Sequence, residues 1–319
     1  MSDDDWADLH GYTWEEQAQD EYEGMFEGVV NRIVERVPKP PTPYPLLYHY
    51  TTGNSLIQIL TNRCILASHY KYLNDRSELI YVLEVVDRWL ASVTDPVERA
   101  LAEAIRGKFN ESLSDLSLEP FVTCFSRDGD SLSQWRAYAD DGSGYAIGLD
   151  PNLLPDYYLV PPEFDGYWLS KDNMVPVTYS HDLHSTLFME GIREMLQFIR
   201  ELDSRSRDDG FRWMNNLLMT FGPQIKNPKF SEEQEWRFWI WHWRDKHEPA
   251  GRKLHFRASP FGVVPAMRLN IAHGEVNPIR EIVVGPKLDL TTARYGLHCL
   301  LEQSGFSGVT IRKSDASYR

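Results

Sequence analysis

Glu235-Trp236-Arg237-Phe238-Trp239-Ile240-Trp241 is apolar at both parities of a strand. Such a segment reads as a β-strand covered on both sides rather than one lying half in solvent. At its head, strand alternation puts Glu233, Glu235 and Arg237 on one face. A carboxylate at the start of a buried strand is costly unless it is paired or used. The stretch therefore marks a strand of the core and a candidate site together. A Glu235–Arg237 ion pair on one face is the structural alternative.

Working outward, Leu46 to Tyr50 reads as a first strand, Asn54 or Ser55 as the cap of a short helix to Leu60, and Cys64 to Ser68 as a second strand. Asp75 is placed to cap a helix to about Val93, with Glu78 three residues on, and Pro96 opens another helix to about Leu113. Strands are expected over 121–126, 145–149, 175–179, 281–284 and 309–313, and helices over 183–202, 209–220 and 291–303. Strands and helices mix without a regular β-α-β-α rhythm, which argues α+β rather than a doubly wound sheet. The expected organisation is an acidic helix and Pro-rich linker over 1–44, then one domain over 45–319.

The leader has its own logic. Residues 1–40 hold 11 Asp/Glu and 3 Lys/Arg, a balance of −8 out of −14 for all 319 residues. Thr13 and Glu16 fit a capping box, and Trp14, Tyr22, Met25, Phe26, Val29, Val30 and Ile33 form an apolar stripe that ends before Pro38. Two readings stay open: the stripe docks on the body, or it is an arm that binds a protein partner. The charge argues against bulk binding of nucleic acid, which needs clustered Lys and Arg. No apolar run approaches the roughly 20 residues that span a bilayer. The acidic start lacks the basic and apolar regions of a secretory signal. Cys64, Cys124 and Cys299 give neither a disulfide framework nor a zinc spacing. A cytoplasmic protein with no membrane partner is expected.

Four segments carry chemistry. Tyr48-His49-Tyr50-Thr51-Thr52 puts a histidine at a strand end before a turn. Asn74-Asp75-Arg76-Ser77-Glu78 offers acceptors and free N–H groups at a helix start, which suits an anion or serves plain capping. The third runs from Ser126-Arg127-Asp128 through Ser131-Leu132-Ser133-Gln134-Trp135-Arg136-Ala137-Tyr138, with hydroxyls, an amide, a guanidinium and two rings packed into its last eight residues after a buried strand. On a helical turn Trp135 and Tyr138 share a face and would sandwich a flat heterocycle, or simply anchor the core. Glu233, Glu235 and Arg237 form the fourth.

In this order, the segments resemble an uncharacterised bacterial conserved domain. Its pattern is matched here by Tyr48 to Thr51, Asn74 to Glu78, Phe125-Ser126, Gln134 to Tyr138, Gly144 to Asp150, Glu235 to Arg237, Glu281 to Pro286 and the closing Ser314 to Arg319. The resemblance covers about residues 45–319. In its H…Y…E order that domain is similar to the ADP-ribosyltransferase superfamily. The resemblance implies an α+β split β-sheet with helical insertions that uses NAD⁺ as substrate. It would transfer ADP-ribose to a macromolecule, protein or nucleic acid, or hydrolyse NAD⁺, as toxins and phage-defence effectors do. By the same resemblance, Glu235 is the catalytic carboxylate and Glu233 the first position of an E-x-E pair. His49 holds a ribose, supported by Thr51, and Tyr138 stacks on nicotinamide, with Trp135 and Tyr72 as rivals. Ser131 or Ser133 meets the amide, and Tyr50, Asn74, Gln134, Arg136 and Arg237 complete the binding set. The middle motif departs from the superfamily's usual one. A non-catalytic nucleotide sensor or a protein-interaction module on the same scaffold is the alternative. A hydrolytic nuclease is disfavoured by the lack of a carboxylate cluster with metal spacing.

Overall fold

A computed structural model describes residues 39–73, 78–114, 118–156, 165–171, 173–184, 222–243, 253–259, 262–271 and 276–318, with Gly24, Gly28, Glu35, Arg193, Glu194 and Gln197. Most of the leader, the Asn74 motif and most of the two helices expected over 183–220 lie outside them.

Contacts divide the chain into two compact units. One comprises residues 1–39, 81–114 and 180–222, the other 40–80, 115–179 and 223–319. In the first, the helices α2 (Glu78–Ser92) and α3 (Pro96–Ser114) bury Val85, Val86, Trp89 and Ala102. Asp95 caps α3 by accepting from the Val97 and Glu98 N–H groups at 2.9 and 2.8 Å.

The second unit is a mixed sheet of eleven strands: β1 (Leu47–Thr51), β2 (Cys64–His69), β3 (Leu118–Ser126), β4 (Tyr145–Leu149), β5 (Tyr167–Trp168), β6 (Met174–Pro176), β7 (Glu235–Trp243), β8 (His255–Ser259), β9 (Gly262–Asn270), β10 (Ile279–Val284) and β11 (Thr310–Lys313). The order is β11-β10-β4-β1-β3-β2-β9-β5, with β7 paired to β3 and β6, and β8 to β9. Only β10–β11 and β5–β9 are parallel pairs. This mixed α/β architecture fits the α+β expectation. No helix among the described residues is long and apolar enough to cross a membrane.

One face of the sheet is the main core. Trp236, Phe238 and Ile240 of β7 join Leu47, Phe125, Ile147 and Ile282 there. The helices α1 (Gly53–Asn62) and α5 (Leu290–Gln303) cover them with Leu56, Leu60, Leu297 and Leu301. Burying each such side chain is worth about 1.5–3 kcal/mol. Thr52 caps α1 by accepting from Ser55 N, and Asp289 caps α5 by accepting from Thr292 N at 2.8 Å. The opposite face holds a smaller cluster of Tyr50, Trp135, Ala139, Ala146 and Val283, built around α4 (Leu132–Tyr138).

β3 creates the feature that matters most. β7 pairs with it along its whole length. β1 meets it at Ser126, and β2 only at Phe121 and Val122. Antiparallel geometry puts β1 and β2 on the same edge of β3, at opposite ends, so the sheet splits between them. Cys124 sits at the gap.

A buried charge cluster beside α4

The candidate site is built at the head of β7. Asn227 opens a 3₁₀ turn over Pro228–Glu233 by accepting from Lys229 N at 3.1 Å. Gln234, at φ 44° and ψ 47°, closes it in the left-handed region. That conformation is uncommon for a residue with a β-carbon. It is held from outside: Ser126 Oγ donates to Glu233 O at 2.8 Å and Arg127 N to Gln234 O at 3.0 Å. Glu235 N donates to Tyr179 Oη at 3.0 Å.

Four charges meet there. Arg237 donates to Glu235 through Nε (2.8 Å, to Oε1) and Nη2 (3.1 Å, to Oε2), and to Pro223 O through Nη1 at 2.9 Å. Lys226 Nζ donates to Glu235 Oε2 at 2.9 Å and to Glu233 Oε2 at 2.6 Å. Arg237, Lys226 and Glu235 are 1, 3 and 6% exposed. Two cations and two carboxylates leave the cluster neutral, which a buried site requires.

The carboxylates are not equivalent. Burial pushes Glu235 up, but the charges of Arg237 and Lys226, the Arg237 hydrogen bonds and the Cys124 thiol outweigh it and hold its pKa at about 2. Glu233 moves the other way: burial raises it, the attraction of Lys226 draws it back, and the Glu235 charge adds to the rise. Three N–H bonds and a thiol fill the roughly four acceptor positions of the Glu235 carboxylate. Glu233 has Oε1 without a partner among the described residues.

α4 comes in beside this cluster. Tyr138 is half-buried, and its hydroxyl is held in the neutral form by burial and by the nearby charge of Glu233, with smaller contributions from Cys124 and Glu235. Trp135 is fully enclosed, with Nε1 donating to Asp130 Oδ1 at 2.7 Å and its ring 4.9 Å from that of Tyr50, edge to face. Trp135 therefore presents no face to a heterocycle, which corrects the expectation of a sandwich with Tyr138. Tyr50 donates to Asp128 O at 2.8 Å and accepts from Ser131 N at 2.9 Å, so it anchors the loop before α4. Ser131 and Ser133 Oγ lie 3.0 Å apart, and Gln134 is buried. Arg136 is exposed, its guanidinium 5.9 Å from the centre of the Tyr318 ring. Asp130 also accepts from Ser314 Oγ and from Asp315 N (2.6 Å), which straps the C-terminal segment over this loop.

His49 sits elsewhere. Tyr48 lies opposite Ser126, and Ser126 opposite Glu235, so Tyr48 and Glu235 share a face and His49 belongs to the other. Its ring packs 5.6 Å from Phe125 and turns into the split, with Nδ1 3.0 Å from Cys124 O. Cys124 thus bonds His49 through its carbonyl and Glu235 through its thiol. The structure brings together Tyr138, Glu233, Glu235 and Arg237, and links His49 to them only through β3. Thr51 is buried opposite Tyr145, and Tyr72 lies in a 3₁₀ turn beside His69. Asn74 lies outside the described residues.

Lys226, Cys124 and Tyr179 were not foreseen as parts of the site, nor was the bond from Ser126 to Glu233. The three carry no local signal. Ser126 heads the third segment, but its role depends on the register of β3 against β7.

A domain of the family described as a protein of unknown function (DUF2971) is found at residues 134–238. That span runs from Gln134 through Glu233, Glu235 and Arg237 to Phe238 of β7. Neither a curated protein nor a solved structure gives a significant match.

Proposed function

We propose that the chain consumes NAD⁺ as an ADP-ribosyltransferase or NAD⁺ glycohydrolase, with Glu233 and Glu235 in separate roles. What supports this is the asymmetry of the carboxylate pair. Glu235 is held ionised by Arg237 and Lys226, while Glu233 has a free oxygen and a raised pKa. Cleavage of the nicotinamide–ribose bond passes through an oxocarbenium-like state whose positive charge exists only as the bond breaks. A fixed anion nearby stabilises that state more than the bound substrate. The bonding pair leaves with the nicotinamide nitrogen. A hydroxyl of water or of a macromolecular acceptor adds to the ribose carbon, and its proton passes to Glu233. A raised pKa makes that carboxylate a better proton acceptor at neutral pH. Tyr138, next to both carboxylates, is the ring best placed to orient the leaving group.

The test is nicotinamide release and transfer of labelled ADP-ribose from NAD⁺, comparing the natural protein with Glu233→Gln. Turnover by the natural protein, lost in the variant, is the expected result. A second reading, a non-catalytic nucleotide sensor, is favoured by one observation: Glu235 has no acceptor position left for a ribose hydroxyl. NAD⁺ binding without nicotinamide release by the natural protein would establish it and sink the catalytic one.

A further inference from the structure

The unit that holds α2 and α3 contains a cluster of donor atoms outside the carboxylate site. Tyr81 lies on α2, buried on the same stripe as Val85 and Trp89. Its hydroxyl meets two histidines: His181 Nδ1 and His184 Nδ1 each lie 3.1 Å from Tyr81 Oη. Ser180 fixes the pair. Its Oγ accepts from Leu183 N at 3.2 Å and its carbonyl from His184 N at 2.9 Å, so residues 180–184 form one helical turn with His181 and His184 on one face. Tyr81 and His184 are buried, and His181 lies at the surface beside them.

The Tyr81 hydroxyl has one proton to give. A neutral imidazole with its proton on Nε2 presents Nδ1 as an acceptor. With both rings so arranged, two acceptors face one donor, and one of the 3.1 Å contacts sets a nitrogen lone pair against an oxygen lone pair. A cation among the three atoms removes that conflict, because each then offers it a lone pair. The spacing suits an ion. Ligands about 2.0–2.2 Å from a transition metal, at about 90–109° to one another, are about 2.8–3.6 Å apart. The imidazole centres are 6.4 Å apart, near the widest that one shared ion permits, so the nitrogens take opposite sides of it. Trans nitrogens with an oxygen between them belong to the tetragonal plane of Cu²⁺ rather than to the zinc tetrahedron. Among the described residues no three His, Cys, Asp or Glu gather for a metal, so the phenol is what completes this set.

We propose that His181, His184 and Tyr81 bind a divalent copper ion, with the two Nδ1 atoms trans and the Tyr81 phenolate between them. Binding releases the phenol proton to solvent, leaves the ion's oxidation state unchanged and ties α2 to the turn at 180–184. The site is independent of the NAD⁺ reading, since it shares no residue with the carboxylate cluster.

The experiment is titration of Cu²⁺ into the full chain, followed by calorimetry and visible absorption. The natural protein is compared with Tyr81→Phe, His181→Ala and His298→Ala, the last removing an exposed histidine of α5. The natural protein should take up one equivalent and develop a phenolate-to-copper charge-transfer band. Tyr81→Phe keeps the packed ring and removes only the oxygen. It should lose the band and bind at least about tenfold more weakly, since losing even an outer partner of a metal ligand costs that much. His181→Ala, a change at the surface that leaves the core intact, should weaken binding likewise. His298→Ala should match the natural protein in affinity and spectrum. No stoichiometric uptake, or uptake without the band, overturns the proposal. So does a Tyr81→Phe or His181→Ala variant that binds as tightly as the natural protein.

Discussion

Replacing Glu235 by Gln keeps the size of the side chain and removes its charge. Arg237 and Lys226 then share one remaining carboxylate, that of Glu233, and Arg237 faces an amide that can accept only one of its two N–H groups. The cost can be worked from the carboxyl itself. Holding it at about 2 rather than an ordinary 4.5 is worth roughly 3 kcal/mol to the folded state. Breaking a buried ion pair from one side costs about 3–5 kcal/mol, which agrees. Urea unfolding followed by tryptophan emission reads the effect directly, since Trp236 and Trp239 lie on β7. The midpoint should fall by about 1–2 M. A group whose folded pKa is depressed stabilises above its unfolded value, and loses that contribution as pH falls through the folded one. The natural protein should therefore lose this contribution between about pH 4.5 and 2, and Glu235→Gln should lack that part of the pH dependence. A variant that unfolds within about 0.3 M of the natural protein, with the acid dependence intact, would refute the account of a desolvated cluster. It also follows that lost activity in Glu235→Gln does not by itself identify a catalytic residue.

Glu233→Gln is the cleaner probe. Burial already disfavours its ionised form, but its loss leaves Lys226 and Arg237 with one carboxylate, so the variant should lose about 1–3 kcal/mol, less than Glu235→Gln, while abolishing nicotinamide release. Asp130→Asn leaves Trp135 Nε1, Ser314 Oγ and Asp315 N competing for one oxygen. It should cost about 1–3 kcal/mol and speed amide exchange over 314–318. Gly144→Ala sets a β-carbon 2.3 Å from the carbonyl oxygen of Thr51, a backbone atom that cannot swing aside. Its thermal midpoint should drop by several degrees, matching about 1–3 kcal/mol of overpacking.

Where a strand announced itself by composition, the sequence located it well. β7, β3, β4, β10 and β11 fall within a few residues of their expected ranges, because β-branched and aromatic runs between turns have few other solutions. The hairpin of β8 and β9 was not anticipated, because a proline, Pro265, falls inside β9 and argues against a strand. Yet the β2–β9 ladder ends at Ser68 opposite Ala266, so Pro265 lies one residue beyond it and its missing N–H removes no bond from that ladder. The site was legible in kind but not in geometry. Alternation suggested that Glu233, Glu235 and Arg237 gather on one face, and they do gather. Glu233, however, arrives from a 3₁₀ turn through a left-handed Gln234 rather than along the strand. No pattern indicated that His49 would turn into a gap on the far face, because the split depends on how β1 and β2 divide one edge of β3.

Lys226 shows where charge counting could have gone further. Glu233, Glu235 and Arg237 alone sum to one uncompensated negative charge, and a buried site does not tolerate that. A second cation was therefore required once all three were taken as buried. Local spacing could not say which one, since Lys226 precedes the turn that folds it back onto both carboxylates. Its position also explains the inequality of the pair. Arg237 hydrogen-bonds Glu235 and pulls on Glu233 only weakly through its charge, whereas Lys226 bonds both. Glu235 thus has the support of both cations and stays ionised. Glu233 has a share of Lys226 and a weaker pull from Arg237, which do not offset its burial, and is left as the carboxylate able to take a proton.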